Sequence, residues 1–233
     1  MKVVLLAGGF GSRLGEETVS IPKPLVEIGG KPILWHLMKF YEYYGFREFV
    51  ICLGYKGEQI KDWFKKAKNN WQVDLVDTGI ETMTGGRLKR VEKYVGKQTF
   101  LANYSDGLGN VNLKRLLKHH REKNKLVSLT AAIPEGRFGA LTIDNQDQVT
   151  GFAEKKDNKV WVNAGFFVLE PEIFEYITSD KTILEKDVLP KLAKKKQITS
   201  FKHKDFWQPM DKLYDKQILE KLWQTGKAPW KVW

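Results

Sequence analysis

The stretch Val3-Val4-Leu5-Leu6-Ala7-Gly8-Gly9-Phe10-Gly11-Ser12-Arg13-Leu14 decides the fold. Its first five residues form a short uninterrupted apolar run, the pattern of a strand buried on both faces. Gly8-Gly9 ends the run, and a polar connection with Pro22 and Pro24 inside it extends to about Gly30. From Pro32 the period changes. Ile33, Leu34, Leu37, Met38 and Tyr41 recur at helical spacing, and Gly45 can supply the C-terminal cap. Strand, glycine loop and helix together open an α/β unit.

The alternation continues outward. Phe49 to Leu53 reads as a second buried strand, Gly57 to about Lys68 as an amphipathic helix, and Trp71 to Val76 as a third strand. A short helix around Leu88, a strand from Phe100 to Tyr104, a helix from Leu113 to His120 and a strand from Leu126 to Ile133 follow. Strand-like segments then dominate from Leu141 to Leu169. Helices return at about Pro171 and Leu184, and the last spans about Lys212 to Trp223. No repeat or low-complexity linker divides the chain, so it reads as one α/β domain with a β-rich insertion. Trp71, Trp230, Trp233, Tyr41, Tyr43 and Tyr44 suit either a subunit interface or core packing, with core the reading for Tyr41.

Composition narrows the class. The chain has 233 residues, 42% of them hydrophobic, enough to bury a core without staples. The lone Cys52 allows no internal disulfide, and no Cys/His grouping has zinc spacing. No apolar run is long enough to span a bilayer, and the N-terminal run breaks too early for a secretory signal. The chain therefore reads as a cytoplasmic protein with no membrane partner. Lys and Arg number 39 against 28 Asp and Glu, leaving a net charge of +11 that favours anionic ligands. The lysines are scattered and no nucleic-acid reader motif is present, so the expected partners are small anions and not nucleic acid.

Four motifs carry chemistry. The glycines of Gly8-Gly9-Phe10-Gly11 let backbone N–H groups approach a polyphosphate, and Arg13 offers a fork of donors. The loop is neither a dinucleotide fingerprint nor a P-loop, since Leu14 stands where a glycine is needed and no Gly-Lys-Ser/Thr follows. Pro22 and Pro24 brace Lys23 and aim its ammonium at small entropic cost. Asp106, at the end of a strand and followed by Gly107, suits a hard cation such as Mg²⁺. Asp211 is a second carboxylate for that cation, or the N-cap of the last helix. Glu154-Lys155 with Asn163-Ala164-Gly165 can meet a sugar phosphate, the lysine taking charge and the other two side chains hydroxyls. Each motif alone also reads as an ordinary turn or surface segment.

In this order the motifs resemble the sugar-1-phosphate nucleotidyltransferase family, and within it the glucose-1-phosphate cytidylyltransferase branch. Ile28-Gly29-Gly30-Lys31-Pro32, Met83-Thr84-Gly85-Gly86-Arg87, Gly136-Arg137-Phe138-Gly139, Asn163-Ala164-Gly165-Phe166 and Trp207-Gln208-Pro209-Met210-Asp211 extend the likeness from end to end. The resemblance implies a Rossmann-like α/β fold. Its central sheet is mostly parallel, with helices on both faces and a small β-rich sugar-binding part. It implies one domain over 1–233, with 1–135 mainly nucleotide-binding and 136–233 mainly sugar-phosphate-binding.

The implied reaction joins CTP and α-D-glucose 1-phosphate into CDP-glucose and pyrophosphate, with Mg²⁺. Lys23 and Arg13 are the implied catalytic residues. Leu6, Ala7, Gly8, Gly9, Gly11, Ser12, Thr84, Gly85, Gly86, Arg87 and Asp106 join them around the nucleotide. Gly107, Glu154, Lys155, Asn163 and Gly165 fall to the sugar phosphate, and Asp106 and Asp211 to the metal. Another acceptor, UTP or dTTP, and a nucleotide-sugar-binding protein without catalysis remain the alternatives. A homo-oligomer is expected. Two departures stand out: the branch carries a longer segment where this chain has only 68–73, and Ser105 precedes the aspartate where glycine is common.

Overall fold

The computed structural model describes residues 1–15, 17–67, 69–134, 140–153 and 160–233. β1 (Val3–Leu6) lies inside an eight-stranded sheet among these residues. It pairs in parallel with β4 (Glu48–Leu53) on one side and β6 (Phe100–Tyr104) on the other. β5 (Gln72–Asp77) adds a further parallel strand beyond β4. On the far side of β6, β12 (Phe167–Leu169) runs antiparallel and bridges to β8 (Val127–Ala132). β11 (Val162–Asn163) also pairs antiparallel with β8, while β13 (Ile198–His203) pairs with it in parallel. Only β11 and β12 therefore run against the common direction.

Alternate residues of the central strands feed two cores. Val3 and Leu5 of β1 join Phe49, Ile51 and Leu53 of β4 on one face. Val4 joins Val50 and Cys52 on the other. The first face is covered by α2 (Ile33–Tyr43), α6 (Leu113–Lys123) and α8 (Leu213–Gln224). The second is covered by α4 (Thr84–Arg90), α5 (Glu92–Val95), a 3₁₀ turn over Pro171–Tyr176, a π turn over Leu184–Val188, and α7 (Leu189–Lys194). α3 (Gly57–Lys66) contributes Ile60 to the first core. This is the expected Rossmann-like class with helices on both faces. Burial drives the Cys52 thiol up to about 12, so the lone cysteine is an inert packing group.

Small elements complete the frame. The polar connection holds α1 (Glu17–Ser20) and a hairpin of β2 (Glu27–Ile28) and β3 (Lys31–Pro32). The β-rich insertion includes a hairpin of β9 (Ala140–Ile143) and β10 (Val149–Ala153). A two-stranded pair, β7 (Gly107–Gly109) with β14 (Trp207–Pro209), brings the C-terminal third back to the centre. The helix expected at Pro171 is a 3₁₀ turn, and the one at Leu184 begins as a π turn. β13 has no counterpart in the sequence reading. Among the described residues it pairs only with β8, and its exposed Ser200 and Lys202 alternate with the more buried Phe201 and His203, as suits an edge strand covered on one side.

The aromatic residues divide between core and surface. Tyr41 and Trp230 are fully buried, while Tyr43 is exposed. Trp230 belongs to a cluster around His36 that also includes Trp35, Trp223 and Trp233. His36 is buried, with Nε2 2.8 Å from the Ile28 carbonyl oxygen and Nδ1 3.4 Å from Trp230 Nε1. A carbonyl only accepts and an indole N–H only donates, so the imidazole is neutral with its proton on Nε2.

Burial lowers the His36 pKa from 6.5 to about 4. The unfolded chain therefore takes up a proton below 6.5 that the native state refuses until about 4. Stability is expected to fall as pH drops through that window, by up to about 3 kcal/mol from this residue. Urea midpoints at pH 7.5 and 4.5 measure the loss, and His36→Gln is expected to reduce it.

Candidate functional site

Open parallel sheets bind ligands beyond the carboxyl ends of their strands. Here β1, β4, β5 and β6 all end on one edge, in register at Leu6, Cys52 and Tyr104. Ser105 and Asp106 follow β6, and the Ser105 hydroxyl donates to the Leu6 carbonyl at 2.9 Å, tying the two strand ends together. The Pro209–Gly107 pairing and a 2.8 Å bond from the Met210 N–H to the Asp106 carbonyl set Asp211 beside Asp106.

Lys23 completes the cluster. Pro22 holds extended backbone, and a short 3₁₀ turn over Lys23–Leu25 directs the side chain inward. Its ammonium donates to Asp106 Oδ2 at 2.6 Å and to Asp211 Oδ1 at 2.8 Å, and the residue is only 8% exposed. Lys212 is the N-cap of α8, and the Asp215 carboxylate in the first turn reaches back to accept from the backbone N–H groups of Asp211 and Lys212. Asp211 thus directs its carboxylate to Lys23, and the helix is capped by another residue.

The glycine loop sits against this cluster. Gly11 has φ +67°, and a Cβ there would lie 3.0 Å from the Lys23 Cβ, so only glycine fits without displacement. Around Gly9 the space is open, while Gly8 is backed by Arg87. The buried Arg87 guanidinium donates to the carbonyls of Gly8, Leu53, Gly79 and Ile80 and to the Thr78 hydroxyl, at 2.7–3.1 Å. A Cβ on Gly8 would fall 2.1 Å from an Arg87 nitrogen. Burial lowers the Arg87 pKa, yet a guanidinium stays charged, so a fixed positive charge lies directly behind the loop. Ser12 and Arg13 lie in a 3₁₀ turn; the Arg13 side chain, Gly136–Gly139, Glu154 and Lys155 lie outside the described residues.

The other expected residues flank the cluster. Gly85 and Gly86 donate their N–H groups to the Thr182 carbonyl. A Cβ on either would meet backbone of residues 180–182 within 3 Å, so the close approach these glycines permit is to the chain itself. Thr84 donates to Glu185 at 2.7 Å. On the other side, Asn163 ends β11, and Gly165, at φ +73°, turns the chain into β12. Asn163 accepts from the Gly165 N–H and donates to the Tyr104 hydroxyl. Tyr104 in turn donates to Glu185 at 2.5 Å. Burial first, then the Glu185 carboxylate, raises the Tyr104 phenol above its ordinary pKa. Sequence reading missed both Tyr104 and Glu185, because neither stands in a glycine or proline motif.

The comparisons agree with this architecture. The nucleotidyl transferase family profile matches residues 2–214. The chain belongs to the nucleotidyl transferase family. Glucose-1-phosphate cytidylyltransferase of Salmonella typhimurium is 48% identical over 257 aligned positions, covering all of both chains. A probable glucose-1-phosphate cytidylyltransferase of Bacillus subtilis is 40% identical over 255, again covering both completely. The crystal structure of HddC from Yersinia pseudotuberculosis complexed with GMP-PN superposes with a TM-score of 0.75 at 28% identity, covering 95% of this chain and 99% of that one. The aligned lengths exceed the 233 residues here, so these relatives carry positions this nucleotidyltransferase lacks. Its connection from α3 to β5 is only 67–71.

A divalent cation would be held by Asp106 and Asp211. Among the described residues no group of three or more His, Cys, Asp or Glu could hold a metal. Two carboxylates suit Mg²⁺, which keeps water and takes phosphate oxygens for its remaining positions. No helix among the described residues is long and apolar enough to cross a membrane.

Arg87→Lys is expected to destabilise the nucleotidyltransferase by roughly 2–4 kcal/mol, because an ammonium cannot replace the fork and leaves carbonyls unpaired. Gly8→Ala should act in the same direction by expelling the guanidinium. Urea unfolding measures both; an unchanged midpoint with weakened nucleotide binding would instead make Arg87 a ligand group.

Proposed function

We propose that this chain transfers a cytidylyl group from CTP to α-D-glucose 1-phosphate, giving CDP-glucose and pyrophosphate. The observation that carries the reading is the buried Lys23 ammonium between Asp106 and Asp211, at the sheet edge beside the glycine loop. The full-length 48% identity to a glucose-1-phosphate cytidylyltransferase supports the choice of substrates.

The chemistry follows from charge. A sugar phosphate is largely dianionic at neutral pH, since phosphate monoesters have a second pKa near 6. It therefore needs no general base. Its oxygen attacks the α-phosphorus of CTP, the bond from that phosphorus to the bridging oxygen breaks, and pyrophosphate leaves with the electron pair. The barrier lies in bringing two anions together. Lys23 turns from the carboxylates to the α-phosphate and neutralises it there. Arg13 takes the β- and γ-phosphates, and backbone N–H groups of Gly8, Gly9, Gly11 and Ser12 line the same edge.

Mg²⁺, held by Asp106 and Asp211, supplies further neutralisation of phosphate charge when bound. Lys155 holds the incoming phosphate, while Glu154, Asn163 and the backbone at Gly107 and Gly165 meet the sugar. Main-chain acceptors and donors of Gly8, Gly9 and the Thr84 to Arg87 stretch meet the base edge that carries the exocyclic amine of cytosine. This activity belongs in the cytoplasm, where nucleoside triphosphates are available, and serves polysaccharide synthesis.

The test is pyrophosphate release from CTP, UTP, dTTP or GTP against a set of sugar 1-phosphates. CTP with glucose 1-phosphate is expected to be turned over fastest; preference for another triphosphate would overturn the base assignment. Lys23→Ala is expected to lower kcat by ~10²–10³, and near-normal turnover would remove Lys23 from the mechanism. A homo-oligomer belongs to the same reading. Light scattering is expected to give a mass above one chain, and a single-chain mass would refute it.

A further inference from the structure

Glu185 is absent from every motif above, yet it joins the two halves of the site. It stands second in the π turn Leu184–Val188, a wide backbone form found often at functional positions. It is half-buried, and hydroxyl donors hold it. Oε2 accepts from Thr84 at 2.7 Å, and Oε1 accepts from Tyr104 at 2.5 Å.

A carboxylate only accepts, and this fixes the direction of the two hydroxyl bonds made to it. Tyr104 must give its single proton to Glu185, so its oxygen is left to accept from Asn163 Nδ2 at 3.1 Å. From the other end the Gly165 N–H, which can only donate, holds the Asn163 oxygen at 3.0 Å and so turns Nδ2 toward Tyr104. On the other arm, Thr84 gives its proton to Glu185 and accepts from the Leu184 N–H at 2.9 Å. Tyr104 is two residues before Asp106, so the relay runs along the edge of the Lys23 cluster.

We infer that Glu185 is a positioning residue for the sugar phosphate, acting through Tyr104 to hold Asn163 with its amide N–H groups, and not its carbonyl, presented to a sugar hydroxyl. The inference rests on the assignment of Asn163 to the sugar side under the proposed reaction. Both Glu185 oxygens are taken by protein hydroxyls, and its effect on the site passes through Tyr104. It is the terminal acceptor that takes the Tyr104 proton and leaves the phenol oxygen free to receive the Asn163 amide.

Glu185→Gln keeps size but replaces one acceptor with a donor. Thr84 already receives the Leu184 N–H and must donate, so the new amide N–H groups fall on Tyr104. The relay loses its direction. KM for glucose 1-phosphate is expected to rise about tenfold, the scale of one misdirected hydrogen bond. KM for CTP and the melting temperature should change little. Tyr104→Phe deletes the relay while retaining Glu185 and should give the same split. The double variant should be no worse than the worse single one. Equal changes in both KM values, no change in either, or additive losses would overturn the inference. Should wild-type protein reject CTP with glucose 1-phosphate, the reaction assignment fails separately. The same comparison then runs on the pair it does turn over.

Discussion

A single ammonium holds together parts of the chain that are far apart in sequence. Lys23 meets Asp106 across 83 residues and Asp211 across 188. Two carboxylates this close would repel each other, and a lysine this buried would be costly without partners. Each group is tolerable because of the others. The proline-braced turn, the end of β6 and the return of β14 must all arrive at one point. Closure of the fold and assembly of this charge cluster are therefore the same event, and the β7–β14 pair gains its importance from delivering Asp211.

Around that point the sheet supplies direction and Arg87 supplies support. Parallel strands end together and leave their loops on one edge, where the glycines keep side chains out of the way. Such a loop has no packing of its own. Arg87 fills that role from behind, holding carbonyls of β4, the loop and the chain after β5 at once. Because the support is cationic, the surface it braces is favourable to phosphate before any side chain reaches forward.

What could be read from sequence follows from how local the signal is. The strand at Val3 is an unbroken apolar run and the helix at Ile33 is periodic over enough residues to be seen, and their alternation along the chain made the two-sided sheet legible. Lys23 was legible because two prolines flank it, and Asp106 because a strand ends beside it. β7 and β14 are three residues each and exist only through one another. Arg87 was placed near the nucleotide only through the family resemblance, since its burial and its four carbonyl partners depend on tertiary contacts that no local pattern encodes. Glu185 carried no pattern at all, since its meaning lies in hydrogen-bond direction, which no spacing encodes.

The Lys23 pairing is also compatible with the proposed reaction, for a reason of charge and not of geometry. Both carboxylates keep about a quarter of their side-chain surface open, whereas the lysine keeps only 10%. The face open to solvent is thus the acidic one, which a triphosphate approaches only with cations. An ammonium that exchanges two carboxylate oxygens for phosphate oxygens keeps its own environment anionic throughout. In the proposed reaction the ammonium would therefore trade one anionic environment for another, which costs far less than passing through an apolar one.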